Sequence, residues 1–360
     1  MLEYEAWPGT LGPVQHLPDR RPGSIRRTTS IDIVWPDGME AGLTLRARGR
    51  DLVTGSDGSA AVLDTASITV ATDGPARLVA SIASEPAVEG IERLVGVPVV
   101  AGFRKAIAGR LPDLASTGSL AALLLDDLTG AAIVSGSASG RAAIELGIPW
   151  PPGRPGPEGS GTEGDGGVEG GGGVARPRIR IGGPGPAVCI GHVAGGVMAV
   201  RTAEGRPLLG QGPAVPDLTR ADDPLGWHDD PALPPRSMRR RRRIDVWRDP
   251  EGVVVDTHFR DSHVEADGVE TAVHEYEVTA LLDPATLVVR AVDVRPRSLP
   301  GPECPGAAAS AQRIVGEPVG ILRDLVRAEL RGETTCTHLN DQLRALADAP
   351  ALLAALGPNP

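Results

Sequence analysis

Aromatic side chains are scarce in this 360-residue chain: five Trp, two Tyr and two Phe. Any core must therefore rest on Val, Leu, Ile and Ala, and sites that work by ring stacking, nucleic-acid platforms included, lose their usual material. Cysteine is scarce too. Cys189, Cys304 and Cys336 form an odd set without dense spacing, which argues against a disulfide scaffold and fits a reducing cytoplasm. No run of about 18 uninterrupted apolar residues occurs, so no membrane partner is expected. The opening Met-Leu-Glu-Tyr-Glu-Ala-Trp-Pro lacks the basic and apolar stretches of a secretory leader. Lys and Arg number 36 against 46 Asp and Glu, and the net charge of −10 argues against nucleic acid as a partner.

Gly and Pro are abundant, 81 of the 360 residues. The strict Gly-X-Y period of collagen is absent, and 41% hydrophobic residues is a globular proportion. Much of the excess has an address. Pro151–Gly173 contains 11 Gly and 4 Pro in 23 residues and can bury too little apolar area to offset its ordering entropy. A second Pro-rich stretch, Gly205–Arg236, reads as extended chain wrapping over a domain surface. The expected organisation is an N-terminal copy over 1–148, a flexible linker over 149–186, an irregular connection over 187–236 and a C-terminal copy over 237–357.

The word copy rests on four matches in the same order, about 210 to 220 residues apart. Arg26-Arg27 and Ser30-Ile31-Asp32-Ile33-Val34-Trp35 parallel Arg242-Arg243-Ile244-Asp245-Val246-Trp247. Arg50-Asp51 parallels Arg260-Asp261. Asp73–Val79 parallels Asp283–Val289, and Arg93–Val99 parallels Arg313–Val319. In the second copy, Ile244–Trp247, Val253–Phe259, His274–Leu281 and Leu287–Val294 have strand composition, with turn signals at Asp249–Gly252 and Leu282–Ala285. Helical patterns follow at Ala307–Val315, Val319–Leu330 and Leu339–Leu356, with Thr337 as N-cap and Gly357 as stop. The fold class is α+β: tandem duplicated domains, each an antiparallel β-meander followed by two or three helices.

Cys304-Pro305-Gly306-Ala307, Gln312-Arg313-Ile314-Val315-Gly316, Cys336-Thr337-His338-Leu339 and the Arg239–Arg243 run resemble a bacterial family known as domain of unknown function 2889, over roughly Pro231–Leu356. That resemblance implies no activity. The order of strands, Cys, Ala-rich helix and late Cys/His pair also resembles the NifU-type iron–sulfur scaffold proteins. This second resemblance implies ligands near His263 or His274, then Cys304, then Cys336 and His338.

Among the residues themselves, His258, Asp261, His263, His274, Glu275, Cys304, Cys336 and His338 are the polar groups to weigh. Thiolate with imidazole suits zinc or iron, and the metal set expected is Cys304, Cys336, His338 and His274. Cys336 precedes a helix, whose free N–H groups should lower its pKa. The rival readings are a Cys336 nucleophile with His258, His274 or His338 as base, and a non-catalytic binding or assembly module. The expected partner is a small molecule or another protein. Aligned through Leu111 and Leu330, the first copy carries Thr117 and Ser119 where the second has Cys336 and His338, so only the second can hold the site. Arg239–Arg243 reads as compensating charge at the mouth of a strand. Cys189-Ile190-Gly191-His192 lacks a second ligand pair and is left out of the site.

Overall fold

The computed structural model describes residues 6–38, 41–74, 76–145, 189–204 and 212–357. The expected linker over 149–186 lies outside the described residues, as do parts of the connection after it.

Four strands open the chain: β1 (Ser24–Val34), β2 (Thr44–Thr54), β3 (Ala60–Asp73) and β4 (Leu78–Glu85). A 3-10 turn at Ile91–Leu94 and helices α1 (Phe103–Arg110), α2 (Pro112–Ala115) and α3 (Leu120–Glu145) follow. After the short α4 (Val197–Ala203), the order repeats: β5 (Met238–Asp249), β6 (Gly252–Val264), β7 (Glu270–Leu282) and β8 (Val289–Ser298). Then come a 3-10 helix at Cys304–Ile314, α5 (Leu322–Glu329), α6 (Thr337–Ala345) and α7 (Ala349–Ala355). All four expected strands of the second half are present and longer than their β-branched cores. The first expected helix closes as 3-10, and Cys336 takes the N-cap position of α6 in place of Thr337.

The eight strands form one antiparallel sheet in the order β4-β3-β2-β1-β5-β6-β7-β8. Two four-stranded meanders therefore meet edge to edge along β1 and β5, which pair over ten residues from Ser24↔Trp247 to Ile33↔Met238. Each half has its own apolar cluster, but each borrows across the seam: Ile25 and Leu123 join the second cluster, Met238 and Val273 the first. The sheet unites the halves, so the picture of separate domains on a tether is corrected.

The seam is lined with buried charge. Strand alternation sends Arg240 and Arg242 to the helix-covered face, where they meet Asp261, Asp341 and Asp127. Arg239, Arg241 and Arg243 go to the other face and meet Asp32, Asp230, Glu270, Asp245 and Asp256. All five arginines are buried. The run opens β5, a central strand of the sheet, and it can lie buried there because each guanidinium has an acid partner.

The second face is covered by the connecting chain, as its Pro-rich composition suggested. Asp230 accepts from Arg241 and lies against Arg48 and Arg239, while His228 sits between the hydroxyls of Thr28 and Ser30 at 2.9 and 2.8 Å. Arg260 donates to the carbonyls of Val14 and Pro216. On the first face α3 is long and apolar enough to span a bilayer by composition, yet 78% of its Leu120–Ala142 stretch is buried. It serves as the core helix over β1, β2 and β3.

Candidate metal centre

Asp261 on β6 and His274 on β7 lie directly opposite one another, and a β-bulge follows immediately between Asp261 and Ser262. A bulge re-aims the side chains beside it. His338, the second residue of α6, closes the site from above. Its ring stacks on that of His274 with centroids 3.5 Å apart and planes 15° off parallel. Its Nε2 lies 3.6 Å from Asp261 Oδ2. One ligand atom from each of Asp261, His274 and His338 falls within 4.8 Å of the others.

The surroundings fix the charge state. Burial pushes both imidazoles down, His338 to about 3 and His274 well below the usual value. The Arg240 guanidinium adds to this, so both rings are neutral and keep a free lone pair at pH 7. His274 Nδ1 is buried and has no hydrogen-bond partner. Arg240 donates to both oxygens of Asp261, at 2.8 and 3.0 Å, and to Asp341 at 2.9 Å. Arg104 holds the other oxygen of Asp341 at 2.6 Å. Burial nevertheless raises the Asp261 pKa, against the lowering pull of Arg240.

A pocket of about 130 Å³ opens beside His338, lined also by Arg104, Gly130, Leu330, Asn340 and Asp341. Gly130 of α3 is required there. A β-carbon at this position would fall 1.9 Å from Arg240 Nη1 and 2.2 Å from Asp341 Oδ2.

Of the four expected ligands, the structure brings together His274 and His338 and leaves both cysteines outside the group. Cys304 is buried in the apolar cluster at the start of its 3-10 helix. Cys336 Sγ stands 4.0 Å from His338 Nδ1 and shares the same apolar cluster. Its expected activation is overturned: burial raises the thiol pKa, outweighing the N–H groups of Leu339 and His338 and the Tyr276 hydroxyl. Cys304 is pushed up by burial as well. Neutral buried thiols are poor nucleophiles. His258 faces away, bonded to Glu275 at 2.6 Å, and His263 lies against Glu265 at 3.3 Å. Cys189 Sγ contacts His192 Nδ1 at 3.2 Å in a separate turn.

Asp261 and Arg240 are what the choice of ligands missed. The parallel Arg50-Asp51 and Arg260-Asp261 pairs carried the signal. In the first half, Arg27 binds Asp51 through two bonds of 2.7 Å and Asp348 at 2.8 Å, in the pattern of Arg240 with Asp261 and Asp341. The residue opposite Asp51 is Asp64, however, and Ser119 caps α3 through Ala122 N–H. The first half thus has the arginine–carboxylate frame without the imidazoles.

Residues 238–352 match the family described as Protein of unknown function (DUF2889). The matched segment covers about a third of the chain and contains Asp261, His274, His338, Arg240 and Asp341. No curated protein and no solved structure matches the chain, so the likeness to iron–sulfur scaffolds gains no support.

Proposed function

We propose that the second half of this chain holds a divalent transition metal, zinc or ferrous iron, on His274, His338 and Asp261, with the adjoining pocket admitting a small ligand to the ion's remaining positions. The observation that carries this reading is the convergence of two neutral imidazoles and a carboxylate within 4.8 Å. Two histidines with one carboxylate suit zinc and non-haem iron, and three protein ligands leave coordination open. Parallel rings aim their lone pairs side by side, so loading requires His338 to turn off the face of His274. Arg240 keeps its hold on Asp261 throughout, in the manner of an outer partner that orients a ligand.

Elemental analysis of untagged protein tests the proposal. One equivalent of zinc or iron is expected, lost in His274→Ala and His338→Ala and retained in Cys304→Ser and Cys336→Ser. Metal-free preparations that also fail to take up added zinc or iron would overturn it. Because both imidazoles are already neutral, they should release no protons on zinc uptake at pH 7, so a calorimetric heat that varies with buffer ionisation enthalpy should do so equally in the parent and in a variant that keeps both histidines but alters the pocket.

Three free cysteines support a reducing, cytoplasmic setting, and the burial of Arg239–Arg243 supports a protein that does not bind nucleic acid. The shared element order and the paired arginine–carboxylate frames support a tandem duplication in which the imidazoles belong to the second half alone.

A further inference from the structure

The two halves treat one sheet edge differently. In the second half, β8 pairs with β7 only from Glu275 onward, leaving Glu270–His274 without a strand on the outer side. The connecting chain fills the gap: Ala214 bridges Thr271 antiparallel, Ala272 N–H donates to Pro213 O, and Val215 N–H donates to Glu270 O, both at 2.9 Å. In the first half, β4 pairs with β3 only from Ser67 onward. Among the described residues, nothing covers Ala60–Ala66 on that side. Residues Ala61 to Thr65 are all exposed, Val62 at 51% and Leu63 at 47%.

The uncovered edge has the same construction as the covered one. Ala60 pairs with Thr54 and Val62 with Leu52 before a register shift, just as Glu270 pairs with Val264 and Ala272 with Ser262 before theirs. The Ala60 carbonyl and the Val62 N–H therefore point outward, as those of Glu270 and Ala272 do. The nearest cation is Arg50 on β2, opposite Thr65, and its guanidinium is turned to the carbonyls of Leu225 and Trp227; the strand itself carries only acids. No Lys, Arg or His occurs from Leu52 to Ala76, while Asp57, Asp64, Glu85 and Glu89 are exposed.

We propose that the outer edge of β3 over Ala60–Ala66 is a docking edge for an extended, basic segment of a partner protein, added antiparallel to the sheet. Backbone hydrogen bonds supply attachment, as in the molecule's own Ala214–Thr271 bridge, and alternate basic side chains meet the acidic rim. The Val62 and Leu63 side chains give the added strand an apolar surface to lie against.

The test is titration of the full chain with the synthetic peptide Arg-Ile-Arg-Ile-Arg-Ile, followed by amide chemical shifts and calorimetry, with Glu-Ile-Glu-Ile-Glu-Ile as control. The basic peptide is expected to saturate, to weaken with added salt and to move the amides of Ala60–Ala66; the acidic peptide should not bind. Val62→Pro removes the outward donor and should reduce affinity by about tenfold or more. If that variant fails to fold, Asp64→Lys, wholly on the surface, should still lower affinity by about fivefold. Absence of saturable binding, equal binding of both peptides, or an Asp64→Lys variant that binds like the parent would overturn the proposal. So would self-association of the chain through this edge in sedimentation experiments, since a second copy would then be the occupant.

Discussion

At the scale of single residues, burial decides more than residue type does. His228 illustrates the cost. It belongs to the connecting chain and is buried against the sheet, and burial, with Arg48, Arg50 and Arg241 nearby, holds its pKa at about 3 despite the opposite pull of Asp230. An unfolded histidine titrates near 6.5, so from about pH 6.5 down to 3 the unfolded chain binds a proton that the folded one refuses. Stability must then fall as pH falls, by about 1.4 kcal/mol per pH unit for each such group, and be indifferent to it above 6.5. Urea unfolding of His228→Gln between pH 6 and 4 should show a shallower loss than the parent by that amount; parallel curves would contradict it. The same rule explains what was and was not legible. His274 and His338 stand out in the sequence because histidine is rare. Asp261 does not, since a carboxylate next to arginine reads as solvated surface until the strand register shows it buried. Cys304 and Cys336 drew notice for their chemistry and turn out to be apolar core.

Among the elements, the strands of the second half were readable because β-branched residues and Asp-Pro or Asp-Gly turns mark their middles and ends. The five arginines of β5 were not, because their partners come from β1, β6, β7, α3, α6 and the connecting chain, up to 207 residues away. Helix α3 carries the clearest test of how an element is fitted to the site. Replacing Gly by Ala inside a helix normally stabilises by about 1 kcal/mol. At Gly136 nothing lies within 4 Å of the added carbon, and Gly136→Ala should gain about that much. Gly130→Ala should instead cost about 1–3 kcal/mol and weaken zinc uptake, because the methyl group displaces Arg240 and Asp341. Thermal melts and metal titrations of the two variants check the contrast, and a stabilised Gly130→Ala would be inconsistent with the packing described.

Across the whole molecule, two cores hang from one sheet. A chain of two independent domains would melt in two steps. Here separation would strip β1 and β5 of their ladder and expose Arg26, Asp32, Arg239 and Asp245, whose pairs cross the seam at 2.6–2.8 Å. A single calorimetric transition is expected, with calorimetric and van't Hoff enthalpies equal; two resolved transitions would contradict a shared sheet. The pattern of those pairs has a further consequence. Arg26 faces Asp245 and Asp32 faces Arg239, three residues to either side of the Thr29–Arg242 pair. Five identical side chains in a row would by themselves let β5 slide against its neighbours with little local penalty. A shift of one residue would turn the helix-facing arginines toward the connecting chain, away from Asp127, Asp261 and Asp341. A shift of two would part both seam pairs at once. The acids at the seam, Asp245 facing Arg26 and Asp32 facing Arg239, thus act as ratchet teeth that hold an otherwise monotonous run to a single alignment of the two halves.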